Sequence, residues 1–367
     1  MKKRGMLIIL VSICVLVLVS CSEVVKIEDR ELEVASSETM EITEEDTTVE
    51  EVTTENDSVQ EITTIVETTT ESETTTKESS VEETTSIKTE TPKYDEYISS
   101  RNYDDKAKVR VLGDLDVSQE ELSKIEELIK SYNREMSFKV VSIDGSKGLS
   151  YNSDRTYFAA SSIKAPYLLY CHKEIDKGNG TLEEKMKYLS SYYKDGSGII
   201  NQSPSGTEYT LAEIMRLVVW CSDNSGYYMC TKRWGLEGYN SYVSSIGCNG
   251  LKLSNGYIWV DNANAHDLVT VWKDIYDYIK SDAPSAKHMY DICTDYKYNP
   301  LENALPGVTI AQKYGTSTTK DVFCDGAIIY GKKNTYILAF FLDSTNDSKD
   351  KNFVTNLVKE INSIMDR

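Results

Sequence analysis

The chain has 367 residues, of which 59 are acidic and 40 basic, giving a formal charge of −19. The charge is unevenly spread: residues 22–100 hold 24 acidic and 5 basic side chains, residues 101–367 hold 35 and 32. The C-terminal part is nearly neutral, which argues against a nucleic-acid partner, and the chain has no CxxC pair, the spacing typical of zinc and thiol-redox centres.

Residues 1–20 read as a targeting segment. Lys2, Lys3 and Arg4 precede "MLIILVSICVLVLV", an apolar run too short for a comfortable membrane span. It closes on Leu18-Val19-Ser20-Cys21, which resembles a bacterial lipobox. The resemblance implies cleavage before Cys21, lipidation of Cys21 and attachment to the bacterial cell membrane; an uncleaved anchor helix is the alternative. Either places the remainder outside the membrane.

Residues 21–100 are dominated by Thr, Glu, Ser and Val, with no aromatic residue before Tyr94. Such a segment cannot bury enough apolar surface to offset its ordering entropy, so a disordered tether is expected. Its r.m.s. span would be about 50 Å, enough to hold a domain away from the membrane. Residues 101–367 suffice for one domain with a substantial core. They contain six cysteines, Cys171, Cys221, Cys230, Cys248, Cys293 and Cys324, whose pairing is not legible.

Ser118 and Glu121 form a capping box ahead of a helix with Leu122, Ile125, Leu128 and Ile129 on one face. Two strand-like runs follow, "MSFKVVSI" and "LSYNSDRTYFA", joined through Asp144-Gly145. Pro166 fits a helix only near its first turn, which predicts a helix starting at residues 160–162. Capping boxes at Thr181/Glu184 and Thr210/Glu213 predict further helices, the second buried, and Asn264 caps another. Two strands come next, "VTIAQKYG" and "GAIIYGKKNTYILAFFL", the latter a hairpin turning at Gly331–Asn334. A last helix carries Phe353, Leu357, Ile361 and Ile364. Strands at both ends of the domain with helices between them predict an α+β fold, a mostly antiparallel sheet flanked by helices with a helical subdomain.

Ser-x-x-Lys occurs four times, at Ser161, Ser191, Ser317 and Ser348, so spacing alone means little. Only Ser161 leads into an apolar helix, and Lys164 would lie on the same face one turn on. A lysine serves as base near neutrality only if burial or a neighbouring cation lowers its pKa. The apolar run from Ala165 to Tyr170 offers burial. His172, His266 and His288 have no setting that suggests a catalytic histidine.

Two later stretches complete a pattern: "CSDN", with Ser222, Asp223 and Asn224, and "QKYGTS", with Lys313, Gly315 and Thr316. Ser-x-x-Lys, Ser-Asp-Asn and Lys-x-Gly in that order resemble the penicillin-recognising serine enzymes, most closely class A β-lactamases. The resemblance spans nearly all of residues 117–367. It implies that Ser161 is acylated, Lys164 takes its proton and Ser222 relays a proton to the leaving nitrogen. Asn224 would hold a substrate amide, and Lys313 would depress the Lys164 pKa and attract a substrate carboxylate. Gly315 would allow close approach, and the amides of Ser161 and Thr316 would form the oxyanion hole. This chemistry calls for no metal or cofactor. Asp223 is read instead as organising its own turn.

Two departures stand out. Tyr314 occupies the place of the small hydroxyl residue between Lys and Gly, which puts recognition of a penicillin-type carboxylate in doubt. The stretch "IGCNGLKLSNGYIWVDNANAHDL" lacks the glutamate that activates the deacylating water, leaving Asp261 and the cap-like Asp267 as its carboxylates. The expectation is a tethered serine hydrolase acting on a β-lactam or a cell-wall peptide, amide or ester, with slow deacylation. A non-catalytic wall-binding or β-lactam-capturing protein of the same fold is the alternative.

Overall fold

The structure, a computed structural model, describes residues 108–254, 256–345 and 347–367. The expected signal segment, Cys21 and the expected tether lie outside the described residues.

Strand β1 (Arg110–Leu112) precedes helix α1 (Gln119–Tyr132), which opens on the expected capping box: the Ser118 amide donates to Glu121 at 2.8 Å and the Glu121 amide to Ser118 Oγ at 3.3 Å. The hairpin of β2 (Met136–Ser142) and β3 (Gly148–Tyr151) turns at Asp144-Gly145, where Asp144 caps the loop by accepting from Ser142 Oγ at 2.5 Å. The predicted second strand ends earlier than its sequence suggests. Past Tyr151 the chain turns, and Tyr157 makes only an isolated bridge with Ala263.

A tight 3-10 turn at Ala160–Ile163 runs into α2 (Lys164–Asp176), placing Pro166 in the first turn as its missing N–H requires. The Thr181/Glu184 signal misleads. Those residues form a turn into β4 (Lys185–Lys187), and the Glu184 carboxylate pairs with Arg233 at 2.8 Å instead of capping a helix. β4 pairs with β5 (Glu208–Thr210), after which Thr210 and Glu213 do form a capping box for α3 (Leu211–Trp220). Helices α4 (Asn224–Trp234), α5 (Glu237–Ser245), α6 (Ala265–Ile279) and α7 (Ala286–Thr294) complete the helical part. Asn264 caps α6, accepting from the Asp267 amide at 2.7 Å.

The chain returns to the sheet with β6 (Thr309–Ser317), β7 (Val322–Tyr330) and β8 (Thr335–Asp343), then closes with α8 (Ser348–Met365). The main sheet is antiparallel in the order β1-β3-β2-β8-β7-β6, so β6 is an edge strand. The β7–β8 turn falls at residues 331–334, as read from the sequence. One sheet face packs under α1 and α8 around Phe138, Leu338, Leu357 and Ile361. The other packs under α6, with the remaining helices behind, around Trp272, Ile163, Leu168 and Ile337. The α+β architecture is thus a sheet between two helical layers, and the edge strand β6 meets the turn at Ser161. All six described cysteines are free thiols.

Candidate active site

Each expected residue comes from the end of an element. Ser161 sits in the 3-10 turn, half-buried, and its carbonyl accepts the Lys164 amide. Ala160 just before it has φ +43, and Ser222, between α3 and α4, has φ +58. Left-handed backbone at residues other than glycine costs about 1 kcal/mol or more and persists only where the surroundings impose it. Both serines therefore stand on constrained backbone.

Lys164 is fully buried. Its Nζ reaches Ser222 O at 2.6 Å, Asn224 Oδ1 at 2.6 Å and Ser222 Oγ at 3.1 Å. A neutral amine has two N–H donors and one lone pair. The two carbonyl oxygens can only accept, whereas the Ser222 hydroxyl can accept or donate, so the same three partners satisfy the ammonium and, with the hydroxyl turned, the neutral amine. Burial, and then the positive charge of Lys313, hold the Lys164 pKa well below the ordinary lysine range. The rings of Trp259 and Tyr227 complete its surroundings, with centroids 5.4 and 5.9 Å from Nζ.

Lys313, also buried, donates to Tyr314 O at 2.9 Å, and burial lowers its pKa to about 8. Gly315 does more than admit a substrate. A Cβ there would lie 2.6 Å from Ser161 N and 2.8 Å from Ser162 N, so glycine lets β6 press against the turn that bears Ser161. Thr316 follows, exposed at the strand edge.

Asp223 is buried and binds backbone. Its carboxylate accepts from Ile199 N at 2.6 Å, Ile200 N at 2.8 Å and Gly226 N at 2.8 Å, capping α4 and fastening the neighbouring segment. Gly198, at φ +127, passes so close that a Cβ would lie 2.4 Å from Asp223 Cγ. Asn224 is occupied at both ends, receiving Lys164 and donating to Asp195 O at 2.6 Å. Its side chain links Lys164 to the 195–200 segment, a tie the sequence reading did not foresee.

Asp261 is exposed and faces Lys320 at 3.8 Å. Asp267 is buried at the start of α6 and accepts from Gly250 N at 2.7 Å. Sequence reasoning passed over Trp259, Tyr227, Asp195 and Asp325. The strand expected from Gly326 starts four residues earlier, at Val322, and the β6–β7 register sets Asp325 opposite Tyr314. Two surface clefts, about 430 and 500 Å³, lie elsewhere, one beside α1 and α8 and one beside the 331–335 turn. Among the described residues no group of three or more His, Cys, Asp or Glu side chains could hold a metal ion.

Residues 122–365 match the profile described as the beta-lactamase enzyme family. The chain belongs to that family. Beta-lactamase VEB-1 of Pseudomonas aeruginosa is 31% identical over 105 residues, 28% of this chain and 35% of its own length. The match thus spans about a third of that curated relative. Among solved structures, a beta-lactamase from Sphaerobacter thermophilus superposes with TM-score 0.59 at 19% identity, over 66% of this chain and 96% of that one. PBP-A superposes with TM-score 0.60 at 20% identity, over 66% and 95%. At such identities these likenesses concern the fold. Within this beta-lactamase fold, Ser161, Lys164, Ser222, Asn224, Lys313 and Gly315 converge on one locality, with Thr316 at its edge.

Proposed function

We propose that the protein is a serine hydrolase that forms an acyl-Ser161 intermediate with an amide or ester of β-lactam or cell-wall type, and releases it slowly. The observation that carries this reading is the fully buried Lys164 side chain, its Nζ 3.1 Å from Ser222 Oγ, in a setting where burial and the charge of Lys313 disfavour the protonated form. Ser161 Oγ attacks the carbonyl carbon and its proton passes to Lys164. The proton then returns through Ser222 to the leaving nitrogen of an amide or the leaving oxygen of an ester, since a hydroxyl both accepts and donates. The amides of Ser161 and Thr316 hold the developing oxyanion.

Slow release rests on the 246–268 loop. Its Asp261 is exposed beside Lys320, and the aromatic ring of Trp259 lies 5.4 Å from Lys164 Nζ. With Asp261 turned to Lys320 and Asp267 held by the Gly250 amide, neither carboxylate is set to activate water, and the acyl-enzyme outlives the step that forms it. A solved point mutant of PBP-A is an acyl-enzyme complex with penicillin G, which supports covalent capture of a β-lactam on this fold. We further infer from Leu18–Cys21 that the domain works at the cell surface, tethered through a lipid on Cys21.

The test is intact-mass spectrometry of the full-length protein incubated with a fluorescent penicillin. An adduct that forms and persists for many minutes supports the reading. Rapid loss of the adduct contradicts slow release, and no adduct from any amide or ester offered contradicts the acyl-serine chemistry.

A further inference from the structure

Cys324 takes no part in the proton transfers above, yet its sulfur meets both backbone segments that carry the oxyanion donors. It stands on β7 opposite Gly315, is fully buried and is a free thiol. Its Sγ lies 3.2 Å from Ala159 O and 3.5 Å from Gly315 O. Carbonyl oxygens only accept, so the single S–H donates to one of them or is shared between the two. Burial pushes the thiol up to about 12, which keeps that hydrogen on sulfur at neutral pH. Each carbonyl belongs to a different half of the hole. Gly315 O is part of the peptide unit that ends in the Thr316 N–H. That unit is planar and trans, so an oxygen held toward β7 aims the Thr316 N–H the other way, off the edge of the sheet. Ala159 O also accepts from the Ser162 amide at 3.1 Å and from Ser162 Oγ at 2.7 Å. It thereby closes the turn in which Ala160 has φ +43 and Ser161 presents its amide, a left-handed conformation that its surroundings must impose.

We propose that Cys324 is a positioning residue for the oxyanion hole: its thiol ties the turn bearing the Ser161 amide to the strand bearing the Thr316 amide and so fixes the spacing of the two donors. The proposal rests on the acyl-serine reading above and deepens it by naming what holds those donors in place. Two amides stabilise a developing oxyanion only if both already point at it, and the benefit fades when either must turn during the reaction. Gly315 lets the strand and the turn touch, and Cys324 is the side chain that bonds to both. A buried, un-ionised thiol suits this place: it packs as a small apolar group, is chemically inert there and still has one hydrogen to give.

The test follows acylation by intact mass, with benzylpenicillin and its methyl ester, in the full-length protein and in Cys324→Val, Cys324→Ala and Cys324→Ser. Valine and alanine both remove the donor but act oppositely on packing, one filling the space of the thiol and the other emptying it. Serine keeps a donor. Cys324→Val and Cys324→Ala are both expected to acylate at least about fivefold more slowly than the wild type, and Cys324→Ser to stay within about twofold of it. A smaller fall in a folded valine or alanine variant overturns the proposal, as does a folded serine variant that slows as far as they do. A role in packing alone predicts instead that Cys324→Val keeps the wild-type rate and that Cys324→Ser does no better than Cys324→Ala. If one of the two apolar variants does not fold, the other decides against Cys324→Ser. If neither compound leaves an adduct on any of the proteins, the acyl-serine reading fails and this proposal falls with it. Acylation at equal rates in all four proteins overturns this proposal and leaves that reading standing.

Discussion

Gly315 and Ser161 touch through their backbones: a methyl group built on the Gly315 α-carbon would sit 2.6 Å from the Ser161 amide nitrogen. No side chain separates the edge strand from the turn before α2. The strand bearing Lys313 and the turn bearing Ser161 thus form one rigid unit, and any substituent at residue 315 must part them.

Gly315→Ala is therefore expected to cost about 1–3 kcal/mol of stability by overpacking, and to slow acylation of Ser161 more than that loss explains. Thermal unfolding and labelling rates on the same preparation check both. A variant of unchanged melting temperature and labelling rate would contradict the contact.

Lys313 lowers the Lys164 pKa by charge repulsion, second only to burial. Removing that charge in Lys313→Met raises the Lys164 pKa, so less of the amine is neutral at any given pH. The acid limb of the acylation rate is expected to move to higher pH, and the rate at pH 7 to fall by about tenfold or more. A limb that stays in place would show that the two amines are not coupled.

Much of the scaffold could be read from local chemistry. The Ser118, Thr210 and Asn264 caps and the 331–334 turn all stand where side-chain hydrogen bonding and turn composition put them. The Thr181/Glu184 signal failed because Arg233, distant in the sequence, claims the Glu184 carboxylate. The three motifs named the residues that gather near Ser161, but not what surrounds them. Trp259 beside Lys164 and Asp325 opposite Tyr314 depend on how a loop folds back and how two strands register, and neither leaves a local mark.

Asp223 accepts three backbone amides, two of them from the 195–200 segment. Asp223→Ala leaves those donors buried and unmet, an expected loss of about 2–4 kcal/mol. Hydrogen exchange at Ile199 and Ile200 should rise together with the loss of stability, whereas unchanged protection there would refute the role assigned to the carboxylate.

His172 is buried, donates through Nδ1 to Leu168 O at 2.7 Å and meets His288 Nδ1 through Nε2 at 2.8 Å. Burial, then the neighbouring His288, lowers its pKa from 6.5 to about 4. The unfolded chain takes up this proton below about pH 6.5 and the folded one only near pH 4. Stability is therefore expected to fall across that window, by up to about 3 kcal/mol from this group. Denaturant titrations at pH 7 and pH 4.5 measure the loss, which should shrink in His172→Gln. An equal loss in that variant would assign it to other groups.

The most direct test of the central claim locates the covalent bond. After incubation with a β-lactam or a neutral ester of one, the protein is digested and the adduct mapped by tandem mass spectrometry. The account predicts an acyl group on Ser161 that is lost in Ser161→Ala and strongly reduced in Lys164→Met. An acyl group on another residue, or labelling undiminished in Ser161→Ala, would contradict it.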